Sequence, residues 1–116
     1  MKRLFLLIVL LQHLAPTPAG AHHGAGHGRP VTATVYDAWY QGRTTACGQE
    51  YQHWGVSAAH PWLPCGSQVH VRHGSRALTV PVTDRCACSS IDLSAGAARR
   101  LGVPLDGIAT VHISHR

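Results

Sequence analysis

Between residues 31 and 114 the apolar residues come in short alternating runs, and only one stretch has the composition of a helix. Val31–Tyr36, Val69–Arg72, Leu78–Val82 and Ala109–Ser114 are β-branched or alternating, which is the signature of half-buried strands. The second and third flank His73-Gly74-Ser75-Arg76 and read as a hairpin, with Pro81 marking an edge or a bulge. Ile91-Asp92-Leu93 is a further short strand piece. Ser94 is a good N-cap, Ala95–Leu101 are helix formers, Arg99 and Arg100 complement the helix C-terminus, and Gly102 ends it. About six short strands and one helix, in a chain of 116 residues with 12 Gly and 7 Pro, must close on themselves. A small barrel satisfies that demand, because closure removes exposed strand edges. Two domains or a dinucleotide-binding fold would need a longer chain.

The N-terminal segment has a different character. Lys2 and Arg3 precede the unbroken apolar run Leu4–Leu11, and Ala19-Gly20-Ala21 supplies small residues. Residues 1–21 therefore read as a secretory signal peptide cleaved after Ala21, and the run is too short to span a membrane. No cysteine lies near the cleavage position, so no lipid anchor is expected there. Residues 22–30, rich in His and Gly, read as a flexible leader with at most weak affinity for copper or nickel. The expected domain is 31–116, in a secreted protein, periplasmic or extracellular and monomeric.

Removing Lys2 and Arg3 lowers the formal charge from +5 to +3 with His neutral. Every remaining cation is Arg, and these are scattered except for Arg99-Arg100. No basic stripe for nucleic acid results, though a mild positive charge suits an anionic polymer such as a cell-wall glycan.

All four cysteines, Cys47, Cys65, Cys86 and Cys88, lie beyond the signal segment. In a small exported domain they read as two disulfides. A Cys86–Cys88 bridge closes a very tight ring, which favours Cys47 and Cys65 each reaching one of that pair. A zinc site competes poorly, because Cys-x-Cys lacks the usual two-residue gap and no His follows at ligand spacing. No metal and no cofactor are expected.

The residues also carry a family resemblance. Ala33-Thr34-Val35-Tyr36 followed by Gly42-Arg43-Thr44-Thr45-Ala46-Cys47-Gly48 resembles the opening of the RlpA-like double-psi β-barrel family. Ser57–Gly66 (SAAHPWLPCG) is similar to its "TAAHxxLPxG" segment. Val82-Thr83-Asp84-Arg85 with Ile91–Ala98 (IDLSAGAA) is similar to its "NDRGP…IDLS…AA" end. The resemblance implies a mainly β fold, a six-stranded double-psi barrel with one or two short helices, shared with barwin, expansins and family 45 endoglucanases. It implies lytic transglycosylase action on peptidoglycan glycan strands, or a non-catalytic expansin- or barwin-like glycan-binding role. For the cysteines, the barwin resemblance implies Cys47–Cys86, and avoiding the tight ring leaves Cys65–Cys88, so this crossed pair is expected; the expansin resemblance implies Cys47–Cys65 instead.

Cleaving a glycosidic bond requires an acid to protonate the leaving oxygen. In a transglycosylase the sugar's own 6-hydroxyl attacks, so one carboxyl group can serve first as acid and then as base. Asp84 matches the family's catalytic Asp, with Arg85 beside it. The family's catalytic Glu, after the Gly of "TASGE", corresponds to Gln49 here, with Glu50 one residue later. Gln49 can bond a sugar hydroxyl but cannot donate a catalytic proton. Asp92, in the IDLS segment, is a candidate second carboxylate, and Asp37 a further substitute. Trp39, Tyr40 and Trp54 are candidate sugar-stacking rings. His60 and Arg85 are candidate substrate or positioning residues.

Overall fold

The computed structural model describes residues 28–88 and 90–115. The expected signal segment and most of the expected leader lie outside the described residues. Six strands run in chain order: β1 Arg29–Val35, β2 Ala58–His60, β3 Gln68–His73, β4 Arg76–Arg85, β5 Ile91–Leu93 and β6 Ala109–His115. They close into a mixed barrel in the order β1-β5-β2-β4-β3-β6. The β1–β5 and β2–β4 pairs are parallel and the other four antiparallel.

The first strand begins two residues earlier than the expected boundary at residue 31. Arg29 pairs with Ile113 and Pro30 with His112 on β6, whereas β5 joins β1 only from Ala33 onward. Pro30 thus occupies a stretch with one neighbour, where a missing N–H is tolerated. Pro81 is placed by the same logic. It ends the β3 ladder opposite Gln68, and β4 takes up β2 at Val82.

Inward-facing residues fill the barrel: Ala33, Ala58, Val69, Val71, Val80, Val82, Ile91, Leu93, Val111 and Ile113 are buried together with Ala97, Ala98 and Leu101 of the helix. The helix α1 spans Ala95–Leu101, with Ser94 as N-cap and Gly102 in the left-handed conformation at its end. Ser94 is fully buried, and its hydroxyl is fully used. It accepts from the Ala97 and Ser57 amides and donates to the Gly55 carbonyl, at 3.2, 3.1 and 2.8 Å. A cap that also ties down the 55–57 segment fixes where α1 meets the barrel. Gly96 completes that junction, since a Cβ there would stand 2.3 Å from the carbonyl oxygens of both Trp54 and Gly55.

The disulfides correct the crossed pairing expected above. Cys47 bonds Cys65, with Cα atoms 5.8 Å apart, and Cys86 bonds Cys88, with Cα atoms 5.0 Å apart. Both separations lie in the ordinary range for bridged cysteines. β4 ends at Arg85, and the chain past it brings Cys86 and Cys88 together despite the small ring. Cys65 follows β2, and its bridge to Cys47 ties that segment to the 42–50 loop. The Cys47–Cys65 pairing is the one the expansin resemblance implies.

Candidate active site

The site arises from one irregularity in the sheet. Ala58 of β2 is in register with Val82 of β4, but Ala59 is in register with Asp84, so Thr83 is an extra residue in β4. A bulge of this kind re-aims the side chains beyond it. Without it, Asp84 would share the parity of Val80 and Val82, which point into the core. With it, Asp84 joins the row Thr34–Asp92–Ala59–Asp84 across β1, β5, β2 and β4. The adjacent row, Val35–Leu93–Ala58–Val82, belongs to the core. Two aspartates therefore stand on one face of the sheet, on either side of a buried alanine.

Asp84 is held by three donors. The Tyr36 hydroxyl donates to Oδ2 at 2.6 Å, and the Ala46 and Arg85 amides donate to Oδ1 at 2.7 and 2.8 Å. The Ala46 contact draws the 42–50 loop over the end of β4, and the neighbouring Cys47–Cys65 bridge anchors that loop. Asp92, like Asp84, is half-buried. Desolvation pushes its pKa above the usual aspartate value, and the Asp84 charge adds to the shift. A hydrogen bond from Thr34 Oγ1 at 3.0 Å opposes it. Burial and the bond to Asp84 also push the Tyr36 phenol far up, so it remains a hydrogen-bond donor. Behind it Tyr51, stacked on Tyr36 at 4.4 Å, is pushed up to about 12, chiefly by burial.

A cleft of about 470 Å³ opens over this row. Asp84, Asp92, Tyr36, Tyr40, Asp37 and the Cys86–Ala87 segment line it. Tyr40 meets Tyr36 edge-on at 5.6 Å and Trp39 at 5.0 Å, so the rings step from the barrel to the surface. Asp37 sets the start of that stair. Its Oδ1 accepts from the Trp39 amide and caps the short 3-10 turn Ala38–Tyr40.

Several sequence candidates lie elsewhere. Glu50 is exposed, accepts a bond from Gln52 Nε2 at 2.8 Å, and does not line the cleft. Gln49 does not line it either. Its Oε1 accepts from Thr45 Oγ1 at 3.4 Å, beside the Ala46 that bonds Asp84. Arg85 borders the cleft, but its guanidinium donates to the carbonyls of His60 and Leu63, at 2.9 and 2.6 Å, so it staples the turn after β2. His60 is buried and lines a different pocket. Trp39 and Trp54 are 62% and 55% exposed, with Arg43 and Arg99 over one ring each. Trp54 stands off the cleft, and only Tyr40 of the three candidate rings lines it. Tyr36 and Ala59 went unremarked as site residues. Tyr36 stands in the family's opening block just before Asp37, and Ala59 in the SAAH block, but neither position carries a chemical cue to the site.

Among the described residues no helix is long and apolar enough to cross a membrane. A family model described as lytic transglycolase matches residues 32–113. An uncharacterized Synechocystis protein is 42% identical over 85 residues, covering 72% of this chain and 93% of that protein. The endolytic peptidoglycan transglycosylase RlpA of Pseudomonas aeruginosa is 38% identical over 87 residues, covering 71% of this chain and 26% of its own length. Among solved structures, a Streptomyces papain inhibitor superposes with a TM-score of 0.59 at 29% identity, covering 76% of this chain and 96% of the inhibitor.

Proposed function

Since this chain belongs to the lytic transglycolase family, we propose that it is an exported protein that cleaves peptidoglycan glycan strands at the MurNAc–GlcNAc bond without consuming water. The observation that carries this reading is the pairing of Asp84 and Asp92 on one face of the sheet, beneath an open cleft. Their surroundings divide the labour. Asp92, kept toward its neutral form by burial, donates a proton to the leaving oxygen. Asp84, surrounded by donors, serves as the carboxylate that steadies the positive charge developing on the sugar and takes the proton of the attacking 6-hydroxyl. The C–O bond to the leaving sugar breaks as the new ring C–O bond forms. Proton exchange with solvent then restores both groups. This moves the acid role from Asp84, where the family resemblance puts it, to Asp92. The stair of Tyr40 and Trp39 supplies apolar faces for the sugar rings. Incubating the purified protein with peptide-free glycan strands tests the reading. Anhydro-muramyl ends in the mass spectrum are the expected products, and reducing ends formed by added water contradict it.

A second reading is a non-catalytic glycan-binding module. Gln49 at the family's glutamate position supports it. So does the likeness to a papain inhibitor, which this barrel matches over nearly that protein's whole length. Strands that are retained by the protein but never cut would favour it.

A further inference from the structure

We propose that the pocket lined by Arg29, His60, Trp62, Ile113 and His115 is a second binding site, one that takes a carboxylate borne on a small apolar body such as an N-acylated amino acid. The pocket encloses about 200 Å³. That is below the roughly 300–1,000 Å³ typical of sites for drug-sized ligands and suits a group the size of one amino acid. Its floor is a directed donor. His60 is 3% exposed, and its Nδ1 accepts from the Trp62 and Leu63 amides at 3.2 and 3.1 Å. A ring nitrogen that accepts two amides carries no proton, so the neutral ring holds its hydrogen on Nε2. Burial keeps that ring neutral, pushing its pKa below the usual histidine value, with the positive charges of Arg85, His115 and Arg29 adding to the effect.

Nε2 has no hydrogen-bond partner among the described residues, and no buried side-chain nitrogen or oxygen among them lacks one. The Nε2–H must therefore be open to solvent, and the pocket is the opening that His60 lines. Arg29 brings positive charge to the rim, and among the described residues no acidic side chain lines the pocket. Trp62, 63% exposed and edge-on to His60 at 4.9 Å, forms an apolar wall with Ile113. An unpartnered ring N–H at the base, an arginine at the rim and an aromatic wall select a carboxylate with a small apolar body. A neutral amide keeps the wall and a carbonyl that accepts from Nε2–H, but it loses the charge-assisted contact with Arg29.

Titration of the isotope-labelled protein with N-acetylalanine and with its neutral amide, N-acetylalaninamide, at matched ionic strength tests the assignment by NMR. Saturable shifts of the His60 ring and the Trp62 indole are expected with the acid, and binding about tenfold weaker or more with the amide. Arg29→Gln, an exposed change at the start of β1, should weaken the acid's binding about tenfold or more, the loss of one charged hydrogen bond. Trp62→Ala should weaken it as well and leave the Asp84 cleft resonances in place. Equal binding of acid and amide, shifts that do not saturate, or unchanged affinity in Arg29→Gln would each overturn the proposal.

Discussion

Asp84 and Asp92 are neighbours of the same residue. Ala59 is in register with one on β4 and with the other on β5. Two strand spacings separate their backbones by roughly 9.5 Å, and the methyl group between them is fully buried. Each end of this pair has its own hydrogen-bonding support, three donors for Asp84 and Thr34 for Asp92. The bulge at Thr83 is what puts them on the same face.

Asp92→Asn tests the electrostatics of the half-buried partner. Its pKa is raised in the fold, so the stabilising contribution is fully present below the ordinary aspartate value and is lost as pH rises through the folded value. The melting temperature of Asp92→Asn relative to the parent should therefore rise as pH increases across that window. A thermal melt series over pH checks this, and a constant difference contradicts it. Glycan cleavage should fall in the parent over the same window, as Asp92 gives up its proton.

Gly96→Ala should be among the most damaging single-methyl changes in the chain. The added Cβ would meet two backbone oxygens at 2.3 Å, and neither can swing aside as a side chain would. A loss of about 2 kcal/mol or more is expected in chemical denaturation, with Trp54 fluorescence altered because its loop must retreat. A loss below about 0.5 kcal/mol would show that helix and loop can separate freely.

The two disulfides should differ in worth. Cys47–Cys65 closes a loop with a sequence separation of 18, so removing it with paired serines should cost about 3 kcal/mol. Cys86–Cys88 spans a separation of only 2 and constrains the unfolded chain little by the same reasoning. Its removal should instead be felt in the cleft, since Cys86 lines it beside Asp84. Non-reducing peptide mapping should link residue 47 to residue 65, and a peptide joining 47 to 86 would contradict the pairing.

Much of the barrel could be read ahead of the structure where local chemistry acts alone. The helix from Ala95 to Leu101 follows from Ser94 and Gly102, and β3, β4 and β6 follow from alternation. The strand Ala58–His60 shows no alternation because all three residues are buried between β4 and β5, so only the family resemblance marked its block. The site was half legible. Asp84 and Asp92 stood out as two of five acidic residues, but what unites them is a register shift, which leaves no trace in composition or period. Glu50 stands one residue past the family's glutamate position, which Gln49 occupies. The loop's Thr44–Glu50 bridge and the bond from Gln52 hold it elsewhere. The cysteine pairing needed the path of the chain after Arg85, which spacing alone does not reveal.

The initial rate of anhydro-muramyl product formation from peptide-free glycan strands, compared among the parent, Asp84→Asn and Glu50→Gln, tests the cleft most directly. A fall of about 100-fold or more is expected for Asp84→Asn, the usual worth of a positioned proton-transfer group, and a rate near the parent's for Glu50→Gln. An undiminished rate in Asp84→Asn, or a collapse confined to Glu50→Gln, would contradict the role given to Asp84.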